Sequence, residues 1–174
     1  MAYASDLQQV FSDWVKSETG YTTIWESANA PRPQKPYCSL NISSITQFGQ
    51  IYNATTDIDG EVAIISELDL TLAVNVFSDK SSQDIDSLMT LQELYASLKK
   101  QDNLDYFYSN GIGFIQQLAM TNISSLLGTD FEQRAQMELD FRIGTQIIDN
   151  VGWIETVIMK GKVNDKDVDI EITS

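Results

Sequence analysis

Catalysis and metal binding draw on a short list of side chains, and histidine is absent from all 174 residues. Without an imidazole, Ser-His-Asp and Cys-His nucleophile arrangements are excluded, as is any histidine-bearing zinc site. The single cysteine, Cys38, alternates with apolar neighbours and reads as a buried structural thiol. It cannot form an internal disulfide, which fits a reducing compartment. Asp57, Asp59, Gly60 and Glu61 look at first like a calcium loop. An EF-hand needs a third oxygen ligand before the glycine and a Glu at its twelfth position, where this chain has Leu68. They read instead as solvated carboxylates, as do Asp165, Asp167, Asp169 and Glu171. Gly111 and Gly113 lack the third glycine and following helix of a dinucleotide turn. The glycosylation patterns at Asn41, Asn53 and Asn122 read as chance matches, since the N-terminal residues show no basic flank and no apolar core of a signal peptide. Among 25 acidic residues no spacing singles out a pair for glycoside chemistry. The residues name no reaction, no metal and no cofactor.

One constellation does stand out. Glu132, Arg134, Glu138, Asp140 and Arg142 share one parity of residues 131–143, while Phe131, Ala135, Met137, Leu139, Phe141 and Ile143 share the other. Successive side chains of a strand point to opposite faces, so the segment has one apolar face and one row of mixed charge. Such a row serves either as a solvated face with cross-strand ion pairs or as a contact with another subunit. Its five charged residues are the first site candidates. Asp57 and Asp59, in the polar stretch 46–60, are the others, as part of an exposed loop or hairpin tip.

The surrounding elements must hold that row in place. Residues 67–77 alternate in the same way, with Leu68, Leu70, Leu72, Val74 and Val76 on one side; the alternation slips near Ile64 and Ile65. Tyr3, Leu7, Val10, Phe11, Trp14 and Val15 form one face of an N-terminal helix that stops at Gly20. Short strands are expected at 22–25 and after Pro36, where Cys38, Leu40 and Ile42 alternate with polar residues. The spacing predicts one long helix over 81–100, with Ile85, Leu88, Met89, Gln92, Tyr95 and Leu98 inward and Leu91 and Leu94 beside them. Strands follow at 111–121, with Ile112, Phe114, Gln116, Leu118 and Met120 on one face, then at 131–148 and 153–160. Strands on both sides of one main helix, without a βαβ rhythm, predict an α+β fold: a mostly antiparallel sheet with the long helix and the N-terminal helix packed on one face. The whole chain, 1–174, reads as a single domain. Its acidic C-terminal tail, 161–174, is expected to be an edge strand or an inter-subunit arm.

The net charge is −14, from 11 basic and 25 acidic side chains. Wrapping nucleic acid needs clustered Lys and Arg, and Lys99 with Lys100 is the one adjacent pair. No run of 18 or more apolar residues exists, so no membrane partner is expected.

Several landmarks together resemble the phage neck or tail terminator family. They are the N-terminal helix, the strand with Trp25, the proline-bounded start at Pro36, Tyr37, Cys38, Ser39 and Leu40, and the alternating strand ending at Phe77. The helix with Leu91, Leu94 and Leu98 continues the series. Phe131 to Ala135 and Ile154 to Val157 close it. The resemblance implies a non-enzymatic virion protein, assembled in the host cytoplasm: a homohexamer ending the tail tube and meeting the head-side connector or other neck proteins, with the sheath as a further neighbour. DNA would pass through its lumen without specific binding, and acidic charge there would keep it from adhering. Two other readings stay open on the residues alone: another head-completion or connector protein, and a cytosolic binding module.

Overall fold

The alternating segments are strands of one five-stranded sheet in a computed structural model that describes residues 4–28, 31–54, 60–78, 86–127, 130–152, 156–163 and 166–173. In chain order the elements are α1 (Ala4–Thr19), β1 (Thr22–Trp25), β2 (Tyr37–Asn53), β3 (Glu61–Phe77), α2 (Asp86–Ser97) and α3 (Gln101–Ser109). They continue with β4 (Ile112–Asn122), β5 (Ser125–Leu127), β6 (Asp130–Glu132), β7 (Arg134–Asn150), β8 (Thr156–Val163) and β9 (Lys166–Thr173). The main sheet runs β1-β2-β3-β7-β4, and β5-β6 and β8-β9 form separate two-stranded sheets. β1 pairs with β2 in parallel and β4 with β7 antiparallel, and bonds from β3 to β7 join Asp69 to Arg142 and Asn75 to Arg134 in the antiparallel sense. The fold is therefore α+β with a mostly antiparallel sheet, as the alternation predicts.

The chain divides into two compact units, Met1–Ile51 with Ser66–Thr145 and Tyr52–Ile65 with Gln146–Ser174. One division falls between Ile65 and Ser66, where the alternation of β3 slips. In the first unit α1 turns its Leu7, Val10, Phe11, Trp14 and Val15 stripe onto the sheet and meets Leu70, Leu72, Val74 and Val76 of β3 and Ala135, Met137, Leu139, Phe141 and Ile143 of β7. Phe11 sits 5.0 Å from Phe141, and Trp14 meets Phe107 edge-on at 5.4 Å. The Trp14 indole N–H donates to Ser97 Oγ at 3.1 Å, so its one polar atom is satisfied inside the core. Gly20, at φ 69°, stops α1 by donating its N–H to Lys16 O, a left-handed step that glycine takes without a Cβ penalty.

Three expectations need correction. Among the described residues the helix expected over 81–100 ends at Ser97, as α2, and a separate helix of 9 residues, α3, follows it. Residues 81–85, including Ile85, lie outside the described set. The buried face of α2 is Ser87, Leu91, Leu94 and Ser97; of the expected stripe Leu88, Tyr95 and Leu98 pack on the core, while Met89 and Gln92 face out. That buried face keeps the 3.6-residue period around the larger Leu cluster, which the core selects over Met89 and a polar Gln92. Residues 46–53, read as loop, continue β2, because β3 supplies a pairing partner that polar sequence alone does not reveal.

β4 departs from simple alternation as well. Its register with β7 slips between Phe114 and Gln116 and again between Gln117 and Ala119. Each bulge flips the parity. Phe114 and Met120 consequently pack on the core while Ile115 and Leu118 are exposed.

In the second unit, β8 and β9 form an antiparallel hairpin whose register sets Lys160 opposite Asp169 and Lys162 opposite Asp167. The acidic tail thus supplies a strand, with Glu171 at the register position opposite Ile158.

Leu72 is fully buried on β3. Leu72→Asp is expected to abolish soluble expression, because an unpaired buried charge costs several kcal/mol, about the whole stability margin. Met89→Asp on the outer side of α2 should change stability by no more than about 0.5 kcal/mol. Yields and melting curves of the two variants check this assignment of faces.

Candidate functional site

The face of the sheet opposite the helices carries the charged row. β7 presents Arg134, Gln136, Glu138, Asp140 and Arg142 there, each partly buried, between fully buried residues of the other parity. The neighbouring strands engage nearly all of them. Arg142 makes a two-pronged contact with Asp69 of β3, Nε to Oδ1 at 2.8 Å and Nη2 to Oδ2 at 3.0 Å. Its guanidinium also lies over the ring of Phe48 on β2, 3.3 Å from the centroid. Asp140 accepts from Thr71 Oγ1 at 2.7 Å and from Gln116 Nε2 at 3.0 Å, and Thr71 Oγ1 accepts in turn from Ser44. One polar line therefore crosses the sheet from β2 to β4. Glu138 is the exception: its hydrogen bond is a long one, 3.4 Å, from Gln136.

At the start of β7 the row meets the loop between β1 and β2. Glu132 of β6 pairs with Lys35 at 2.8 Å and, at 4.0 Å, with Arg32. Arg134 donates to Asn75 Oδ1 at 3.0 Å, lies over the Phe77 ring and stands 3.9 Å from Glu26. Glu26 Oε1 accepts from Ser39 Oγ and Asn75 Nδ2, which makes it the hub of this end. Tyr37 stacks on Phe77 at 4.4 Å. A cavity of about 370 Å³ opens here, lined by Glu26, Arg32, Tyr37, Phe77 and Arg134 among others. Arg134 Nε is buried and finds no acceptor among the described residues.

The titratable groups are tuned toward inertness. Burial pushes the Cys38 thiol up to about 12, so it stays protonated and unreactive. Burial likewise raises the Tyr37 phenol. The Arg142 hydrogen bond holds the Asp69 carboxyl below its usual range, and Lys100 does the same for Glu18. No group of three or more Cys, Asp or Glu among the described residues is arranged to hold a metal ion. This chemistry suits recognition: fixed charges, a stacked guanidinium and a polar cavity.

All five row residues named from sequence, Glu132, Arg134, Glu138, Asp140 and Arg142, lie along β6 and β7, and four of them are engaged within the chain. Asp57 and Asp59 lie outside the described residues. Sequence reasoning missed Glu26 and Phe48, because nothing in either one's neighbours marks it; only the pairing of β1, β2 and β3 brings them to the row.

Two predictions follow from this network. Arg134→Glu places a second carboxylate near Glu26 and leaves Asn75 Oδ1 without its donor, so it should destabilise the chain by about 1–3 kcal/mol in urea unfolding. Asp69 and Glu18 have native pKa values depressed below their unfolded ones. Their contribution is complete above the ordinary carboxylate range, about pH 4, and is lost as pH falls through the lowered native values. Asp69→Asn should therefore melt below the parent at neutral pH and converge on it toward the acid end; parallel curves would contradict the assignment.

No curated protein matches the chain. A family model described as phage neck terminator protein matches residues 5–167, nearly the whole sequence, including α1, the main sheet and the charged row. The chain belongs to the phage neck terminator family.

Proposed function

We propose that this chain is the subunit of a six-membered ring that ends the tail tube and joins it to the head-side connector. The observation that carries the reading is the match over residues 5–167 to a family named for a position in the virion rather than for a reaction. Membership in it implies a virion component in contact with tail and head-side proteins. Ring closure uses two different patches per subunit, related by a rotation that returns to its start. The charged row supplies orientation in that contact: Glu138 faces the neighbouring copy, flanked by Glu132, Arg134, Asp140 and Arg142. Asp57, Asp59 and the acidic residues 161–174 are further contact candidates in this reading. Charged rims of this kind set register and partner choice more than affinity. At −14 per copy, a ring presents a strongly acidic surface, and any share of it lining the lumen repels passing DNA.

Glu138 allows the cleanest test, because its reversal disturbs no strong internal partner. Glu138→Lys should melt like the parent and fail to cap purified tail tubes, which would keep elongating when free tube protein is added. Micrographs of tube ends and tube-length distributions read this out. Normal capping by Glu138→Lys would reduce the row to solvated surface.

A further inference from the structure

Two strands of the main sheet, β2 past its short pairing with β1 and β4 at the far side, present open edges without charge. A sheet edge exposes unpaired N–H and C=O groups, and natural edges are blunted with charged residues, above all lysine, with proline, or with bulges, of which β4 has two. Here about one residue in five is charged, yet no charge occurs between Lys35 and Asp57 or between Asp105 and Asp130. Those two stretches contain β2 and β4. β1 covers β2 only from Tyr37 to Leu40, and β4 pairs with β7 alone. From residue 41 onward along β2, and along the outer side of β4, no described strand takes up the edge. The inner strands show the opposite distribution, with Glu61, Glu67 and Asp69 on β3 and Arg134, Glu138, Asp140, Arg142 and Asp149 on β7. Apolar side chains are exposed on both edges: Ile45 at 58% and Phe48 at 44% on β2, Ile115 at 42% and Leu118 at 48% on β4. Neither strand contains a proline after Pro36.

We infer that the outer edge of β2 in one copy pairs with the outer edge of β4 in the next, so that the sheets of adjacent copies join into one. The inference rests on the ring proposed above and names the contact that closes it. The occupant is a second copy because each chain carries two different open edges, one on each side of the same sheet. An edge-to-edge contact of unlike strands is the heterologous kind that propagates by rotation. A chain at −14 repels its own copies at long range, and the charge-free edges are the places where two copies approach with least repulsion. Main-chain hydrogen bonds then supply the join, as in strand addition generally. Bulges on β4 and Gly49 of β2, at φ 65°, interrupt the edges and leave residues 41–48 of β2 and 119–122 of β4 as the regular runs. The charged row runs along β7, one strand in from β4, where it can set the register of the join.

The test uses two edge variants of the full chain. One carries Ile45→Lys and Thr46→Lys on β2; the other carries Leu118→Lys and Thr121→Lys on β4. All four positions are exposed, so both variants should fold, as melting curves will verify. Sedimentation velocity is expected to show a ring for the parent and a monomer for each variant alone. An equimolar mixture of the two should give a dimer and nothing larger, because one intact β2 edge then meets one intact β4 edge and neither remaining edge can continue. Variants that assemble like the parent would overturn the edge contact while leaving the ring standing. A mixture that stays monomeric would overturn the pairing of β2 with β4. A parent chain that is monomeric at every concentration would overturn the ring and the edge contact together.

Discussion

Everything in the larger unit depends on β7 being dry on one face and wet on the other. Ala135, Met137, Leu139, Phe141 and Ile143 are buried beneath α1, α2 and α3, and the residues between them hold the charges. A slip of one residue in its register would drive Arg134, Glu138, Asp140 and Arg142 into the core, at a cost no domain of this size can meet. The register is therefore fixed twice, by the aromatic cluster of Phe11, Trp14, Phe107 and Phe141 below and by Arg142–Asp69, Asp140–Thr71 and Arg134–Asn75 above. The individual ion pairs are worth little in free energy: Arg142 and Asp69 are each about one-third exposed, so solvent screens them. Their value is in specifying which neighbour each strand takes.

The same division governs how the polar groups of the row are used. Most polar groups of the row are held by one another across the sheet, and the single thiol is kept protonated by burial. Rigid, mutually satisfied polar rows make poor proton-transfer sites and good surfaces for presenting a fixed charge pattern to a partner. In the ring proposed above such a surface is used twice, toward neighbouring copies and toward the structures above and below. Sheet edges without charge and a sheet face with too much of it divide those tasks between backbone and side chains.

Much of this was legible in the residue order. Alternation over 135–143 and 70–76 identified the core face, because period-two patterning is insensitive to tertiary context as long as one face is buried; the expected strand from 131 is broken at Gln133, which is buried between β6 and β7. The stripe of α1 was equally plain. What failed did so for identifiable reasons. Residues 46–53 mix polar and apolar side chains on both parities, so nothing local distinguishes a two-sided exposed strand from a loop; pairing with β3 decides it. Leu118 sits in the second bulge of β4, and bulges carry no reliable mark in sequence. In α2, two overlapping apolar stripes compete, and the core chose Leu91, Leu94 and Leu98. The row itself was found from sequence, while its partners Glu26, Asn75 and Phe48 come from three other strands and loops and could not be.

The claim on which the account turns is closure into a ring, and the mass of the native assembly tests it most directly. Light scattering on the purified chain, across concentration and salt, should find a species of six times the 19.5 kDa protomer that persists in high salt, where screened charges no longer oppose association. A single protomer mass under every condition, up to millimolar chain, would contradict it.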